Sequence, residues 1–192
     1  MADVVFEHYK YHDSLNKEEF KSIFESCIQI GNFKNRAGGF DKWICDTRSG
    51  FANSNALQIA ADFFVDVLDN ANIDQIIVKG FGAYQFLGAV LVSSHHTIQG
   101  SIIRDSAKTQ GKENLIEGKY EIGKPILLID DVLNSGKSSL EAIKVLRQTG
   151  WKLKDIHCSF LIDFQWGGGT LNLNKHGVMN DNISYGLQLN NN

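Results

Sequence analysis

The sequence predicts an α/β fold, an open and mostly parallel sheet flanked by helices. Three observations carry this prediction. Ile126 to Ile129 are four consecutive aliphatic residues, a run that needs burial on both faces, as strands inside a parallel sheet have. Strand-like and helix-like segments alternate along the chain, the pattern of parallel strands joined by crossover helices. Glycine occurs 18 times and proline once, at Pro125, a balance that suits tight strand-to-helix turns better than proline-rich linkers.

The elements follow in order. Lys17 to Ile30 places Phe20, Ile23, Phe24, Cys27 and Ile28 at helical spacing, with Asn16 as N-cap and Gly31 as the stop. Trp43 to Asp46 is a short extended run, and Ser54 to Leu68 sets Leu57, Ala60, Ala61, Phe64, Val65 and Leu68 on one helical face. Ile76 to Val78 forms a strand ending in Lys79-Gly80-Phe81-Gly82, and Ala83 to Val92 is a buried helix. Ile98 to Arg104 is a strand, whereas Asp105 to Glu117 is polar, lysine-bearing and aperiodic, hence a loop. After the strand at Ile126, Gly136 opens a helix carrying Leu140, Ile143, Leu146 and Arg147, and Gly150 closes it at the C′ position. Ile156 to Ile162 is the next strand, Gly167 to Gly169 a turn, Thr170 to His176 a short helix ended by Gly177, and Ile183 to Leu189 a last strand. The tail from Asn190 is expected to fray.

Bulk properties narrow the function classes. The chain has 192 residues, the size of one domain spanning 1–192, enough to bury ~70% of its unfolded surface. A net charge of −3 gives no electrostatic invitation to nucleic acid, whose binding rests on lysine and arginine contacts to phosphates. No apolar run approaches the ~18 residues of a membrane span, and Asp3, Glu7 and His8 near the start do not form a secretory signal. A cytoplasmic protein is expected. Cys27, Cys45 and Cys158 lack C-x-x-C spacing and read as scattered buried thiols. His95 and His96 have no third ligand at useful spacing, so no protein-held metal is expected.

Chemistry concentrates in Ile126–Ser138. A buried strand delivers two adjacent carboxylates, Asp130 and Asp131, to the carboxyl edge of the sheet, and a turn of small residues leads into a helix. Acidic side chains there can accept hydrogen bonds from vicinal sugar hydroxyls. The N–H groups of Asn134 to Ser139, at a helix N-terminus, can hold a phosphate. Gly136 permits close backbone approach, and Ser135, Ser138 and Ser139 add hydroxyl donors. Gly136-Lys137-Ser138 also copies the end of a P-loop, but the first glycine of that motif would fall on Asp131.

Over its thirteen positions this run resembles the phosphoribosyl pyrophosphate signature of type I phosphoribosyltransferases. Further blocks, from about Ile30 to Val178, look like orotate phosphoribosyltransferases in the same order. Gly31-Asn-Phe33, Gly38 and Trp43 to Asp46 are similar to the family's base-side segment, with Arg36 in place of its lysine. Gly80-Phe81-Gly82-Ala-Tyr84 sits where the family has its pyrophosphate turn. Ile103 to Gly111, with Arg104 and Lys108, followed by Glu117-Gly118, resembles the mobile catalytic loop, and Asp163 to Gly168 resembles an Asp-Arg-Gln-Glu-Gly-Gly stretch. The resemblance implies a type I phosphoribosyltransferase fold with a small hood from the N- and C-terminal segments, and a homodimer. It also implies Mg²⁺ bound through phosphoribosyl pyrophosphate, a ribose held by Asp130 and Asp131, and a 5′-phosphate held by Asn134 to Ser139, Lys137 included. Arg104 and Lys108 would neutralise the leaving pyrophosphate, with Asp131 beside them as a catalytic group.

The departures fall at ligand-facing positions. Phe164 replaces the arginine that in the family helps hold the base, and Trp166 replaces a glutamate. Asp105, Gln110 and Gln85 stand where the family carries basic residues. Phe164 and Trp166 either extend a hydrophobic core or interface, or stack on a different base or another aromatic ligand. The resemblance therefore implies transfer of the 5-phosphoribosyl group to orotate or another nitrogenous base. The alternative is a phosphoribosyl-pyrophosphate-binding regulatory or sensor protein.

Overall fold

The computed structural model describes residues 9–35, 38–104 and 115–190. Among them, the alternation expected from the sequence is present. Five strands run parallel in the centre of a sheet, β4 (Gln75–Lys79), β5 (Gln99–Ile103), β7 (Ile126–Leu133), β8 (Ile156–Phe164) and β9 (Ile183–Leu189). Two short antiparallel strands, β1 (Tyr9–Tyr11) and β6 (Ile116–Gly118), close its edges, giving the order β1-β9-β8-β7-β4-β5-β6. Parallel neighbours need covered crossovers, which α4 (Tyr84–Ser93), α5 (Lys137–Thr149) and α6 (Gly169–Lys175) supply, while α3 (Ser54–Ala71) leads into β4.

Each face of the sheet carries its own apolar layer. On one, Leu127, Ile129 and Leu161 pack with α3, α4 and α1 (Lys17–Cys27) through Phe20, Phe24, Phe64 and Phe86. On the other, Ile126, Leu128 and Phe160 pack with Ala142, Ile143 and Leu146 of α5 and Leu173 of α6. The helix stops follow local chemistry. Asn53 accepts from the Ala56 N–H and caps α3, and Asn72 ends it in the left-handed region at φ 51°. Gly150 closes α5 at φ 128°. No helix among the described residues is long and apolar enough to cross a membrane.

Several boundaries differ from expectation. Helix α1 begins after Asn16 as read, but ends at Cys27. Ile28 is already extended at φ −85°, ψ 117° and starts β2 (Ile28–Lys34), which pairs antiparallel with β3 (Phe40–Cys45). Pairing across the hairpin outweighs helical spacing, so Gly31 lies within a strand. The two form a separate two-stranded sheet, the counterpart of the expected hood drawn from the N-terminal part alone. The C-terminal β9 instead belongs to the main sheet. Helix α4 is not wholly buried: Phe86 and Val90 face the core, while Val92 is 85% exposed. Glu117, read as loop, lies in β6, and residues 105–114 lie outside the described residues.

The aromatic layer supports a direct test. Phe86 is fully buried, with ring centroids 5.4 Å from Phe51 and 6.0 Å from Phe64. Phe86→Ala is expected to lower unfolding free energy by about 3–5 kcal/mol, read as an earlier urea midpoint.

Candidate functional site

The acid pair stands where two neighbouring strands part. β4 accompanies β7 only as far as Val78 opposite Ile129, whereas β8 continues beside it to Leu133 opposite Asp163. Asp130 and Asp131 therefore lie inside β7 rather than after it, with one flank open to the turn that follows β4. Lys79 ends β4 and pairs with Glu141 of α5 at 3.1 Å. Desolvation, and then the neighbouring charge of Asp131, push the Asp130 carboxyl well above the usual carboxylate range, with Lys79 opposing. Asp130 Oδ1 accepts from the Asp131 N–H at 3.0 Å.

Asp131 is held from three sides. Its Oδ1 accepts from the Val132 N–H at 2.9 Å, and its Oδ2 accepts from the hydroxyl of Thr47, a residue 2% exposed. A Cβ on Gly82 would collide with the same carboxylate. Thr47 opens the single-turn helix α2 (Thr47–Gly50), directly after β3, so this contact ties the hairpin to the acid pair. The residue escaped the sequence reading because a threonine between Asp46 and Arg48 carries no motif. Asp46 itself accepts from Ser49 Oγ at 2.7 Å and from Arg48 Nε at 3.1 Å, and these bonds lower its pKa, the serine hydroxyl most.

Downstream, Gly136 sits at φ 74° as the N-cap of α5 and offers no capping side chain. The first N–H groups of that helix, Lys137 to Ser139, are thus directed at the turn without a side-chain cap. Asn134, Ser135, Lys137 and Ser138 are exposed, but Ser139 is only 3% exposed and its hydroxyl lies inside. Gly167 and Gly169 press against Asn134 so closely that a Cβ at either position would meet it, and Asn172 Nδ2 donates to the Ser135 carbonyl at 2.9 Å. The triple glycine thus lets α6 buttress the turn.

The other predicted residues are placed as follows. Gly80, at φ 89°, turns the chain after β4, and Ala83 N–H donates to its carbonyl at 3.2 Å. Phe81 is 76% exposed at that turn. Gln85 points inward, its Nε2 buried without a hydrogen-bond partner among the described residues. Arg104 follows β5 and pairs with Glu117 at 3.2 Å. Arg36 and Lys108 lie outside the described residues. Phe164 is 5% exposed, edge-on to Trp43 at 5.7 Å and 4.9 Å from Trp166. It belongs to the core, and Trp166, 40% exposed, carries the accessible aromatic face.

No protein-family model matches the chain. It is 29% identical over 157 residues to "Orotate phosphoribosyltransferase" of Pyrococcus horikoshii, covering 81% of this chain and 82% of that protein. It is 31% identical over 151 residues to "Uridine 5'-monophosphate synthase" of Bos taurus, 79% of this chain but 31% of that one. Among solved structures, an orotate phosphoribosyltransferase from Mycobacterium tuberculosis superposes with TM-score 0.75 at 18% identity, covering 89% of this chain and 94% of that one. The fold agrees with the mostly parallel sheet described above.

Two outcomes are expected at the acid pair. The raised Asp130 pKa means that its contribution to stability is fully present below the unfolded value of about 3.9 and is lost as pH rises through the folded value. Asp130→Asn should therefore raise the melting temperature at pH 7.5, and the gain should shrink towards pH 4. Thr47→Val, which strips a donor from a partly buried carboxylate, should cost about 1–3 kcal/mol in urea unfolding, with Thr47→Ser close to wild type.

Proposed function

We propose that the chain is a phosphoribosyltransferase similar to the orotate phosphoribosyltransferases it resembles, transferring the 5-phosphoribosyl group of phosphoribosyl pyrophosphate to a nitrogenous base. One observation carries the reading: a strand-borne acid pair and an uncapped helix N-terminus meet at one sheet edge. A sugar phosphate needs both. The N–H groups at the start of α5, with the Ser135 and Ser138 hydroxyls, would hold the 5′-phosphate. Asp130 and Asp131 would accept from the ribose hydroxyls. The Gly80–Gly82 turn would face the pyrophosphate.

Asp131 arrives already oriented by Thr47 and Val132, so little reorganisation accompanies binding. In the transfer, the base nitrogen forms a bond to the anomeric carbon while the bond from that carbon to pyrophosphate oxygen breaks. The electron pair of the broken bond leaves with pyrophosphate, and the proton of the base passes to pyrophosphate or water. Arg104, and Lys108 from the stretch after β5, would offset the charge developing on the leaving group.

Mg²⁺ fits the residues present. The acid pair offers hard carboxylate oxygens at the sheet edge, the donor type that suits an ion completing its shell with substrate phosphates. The ion would come bound through phosphoribosyl pyrophosphate and would supply charge neutralisation for the leaving group, with Asp130 and Asp131 beside it. The relatives carry enzyme names, which supports transfer over the sensing alternative. Assembly as a homodimer, a single domain spanning 1–192 and a cytoplasmic setting complete the proposal, on family resemblance.

Pyrophosphate release from phosphoribosyl pyrophosphate and Mg²⁺ across a panel of bases tests the reading. Release with at least one base is expected, and Asp131→Asn should lower kcat/KM for the phosphoribosyl donor about 10²-fold, the loss of one to two charge-assisted hydrogen bonds. Binding without release for every base would overturn the proposal.

A further inference from the structure

The two carboxylates of the acid pair serve opposite faces of the sheet. In β7, Ile126 and Leu128 pack in the α5 layer, whereas Leu127 and Ile129 pack in the other. Alternation along the strand therefore turns Asp130 towards α5, and Asp131 towards Thr47, from whose hydroxyl it accepts. The same phase holds in β4, where Ile77 joins the α5 layer and Ile76 and Val78 the other. Lys79 thus shares the α5 face, one step beyond the pairing of Val78 with Ile129, and stands beside Asp130.

Lys79 is deep for a lysine at a strand end. Its side chain is 14% exposed, and Nζ donates to Glu141 Oε2 at 3.1 Å. The ammonium also acts to lower the Asp130 pKa, against the desolvation that dominates there. Glu141 follows Lys137, the first residue of α5, by one helical turn, and Gly80 turns the chain at φ 89° directly after Lys79. The lysine therefore lies where the acid pair, the turn after β4 and the start of α5 converge. An exposed ion pair joining β4 to α5 would add little stability, and a partly buried one carries a desolvation penalty. Tying two elements together is thus a poor reason for a lysine at this depth.

Three carboxylates, Asp130, Asp131 and Glu141, gather at this edge, and by themselves would repel a donor that carries several phosphate charges. Resting on the transferase reading above, we propose that Lys79 is a positioning residue of the donor site. Its ammonium, held by Glu141 beside Asp130, offsets the negative charge of this edge where phosphoribosyl pyrophosphate arrives. Glu141 fixes the ammonium and Asp130 feels it, so the lysine acts on the donor through the carboxylate that would accept from the ribose. Arginine could replace that charge, whereas an apolar side chain of similar length would leave two carboxylates without compensation.

The test measures the dissociation constant of phosphoribosyl pyrophosphate with Mg²⁺ by titration calorimetry, which needs no acceptor, and pyrophosphate release separately. Lys79→Met is expected to weaken donor binding about tenfold or more, the loss of a charge-assisted contact, and Lys79→Arg to recover most of it. Glu141→Gln, which removes an anion and keeps the ammonium, is expected to bind the donor at least as tightly as wild type. A lysine that only stapled β4 to α5 would give another pattern, in which Lys79→Met and Glu141→Gln weaken binding alike and share an earlier urea midpoint. That pattern, or donor binding indifferent to Lys79→Met, would overturn the inference. Should Lys79→Met fail to fold, Glu141→Gln decides alone, weaker binding overturning the inference and equal or tighter binding supporting it. A wild-type protein that binds the donor but releases pyrophosphate with no base would sink the transferase reading, with the binding constants still deciding the role of Lys79. No donor binding by the wild type would sink both.

Discussion

The site depends on the position of one carboxylate. Asp131 lies where β7 has outrun β4, and its two oxygens are taken by the Thr47 hydroxyl and the Val132 N–H while Gly82 leaves room for it. Three segments far apart in sequence are thereby brought into a common geometry: the end of the β2–β3 hairpin, the turn after β4 and the middle of β7. A charged group satisfied in this way contributes more than a neutral contact would, because an unpaired carboxylate at that depth would be costly. The same arrangement burdens its neighbour. Asp130 is desolvated beside a like charge, and keeping such a pair forgoes stability at neutral pH, the trade made at functional sites.

The central architecture was legible because its signals are local and strong. Four aliphatics in a row at Ile126, helical periodicity from Ser54, and a glycine at each end of α5 each have a short-range cause, and the structure contains the elements they indicate. The errors share a different cause. Ile28 was assigned to a helix by spacing but lies in a strand because Cys45 pairs with it. Glu117 joins β6 through Ile102 across the sheet edge. Strand β1 exists because β9 is beside it. Pairing between distant segments decides these cases, and no window of sequence contains both partners.

The residues of the candidate site divide between contiguous and distant positions for a related reason. Asp130, Asp131 and the turn to Ser138 occupy consecutive positions, so their chemistry can be read from order alone. Thr47 acts 84 residues away from its partner, and its type is uninformative until the fold is known. Phe164 and Trp166 are two positions apart and chemically alike, yet one is 5% and the other 40% exposed. Sequence offered the same two readings for both, core or stacking surface. The structure buries Phe164 in the core and leaves Trp166 partly exposed.

That division has a physical origin in the end of β8. Inside the strand Phe164 faces the layer containing Trp43, whereas the chain then enters a single 3₁₀ turn, Gln165–Gly167, that swings Trp166 away from the sheet. The turn is possible because Gly168 follows in the left-handed region at φ 69° and because Gly167 and Gly169 can lie flat against Asn134. The glycines that buttress the turn before α5 are therefore the same ones that set the position of Trp166. Any side chain added at Gly167 would collide with Asn134 and disturb the turn after β7 and the position of Trp166 at once.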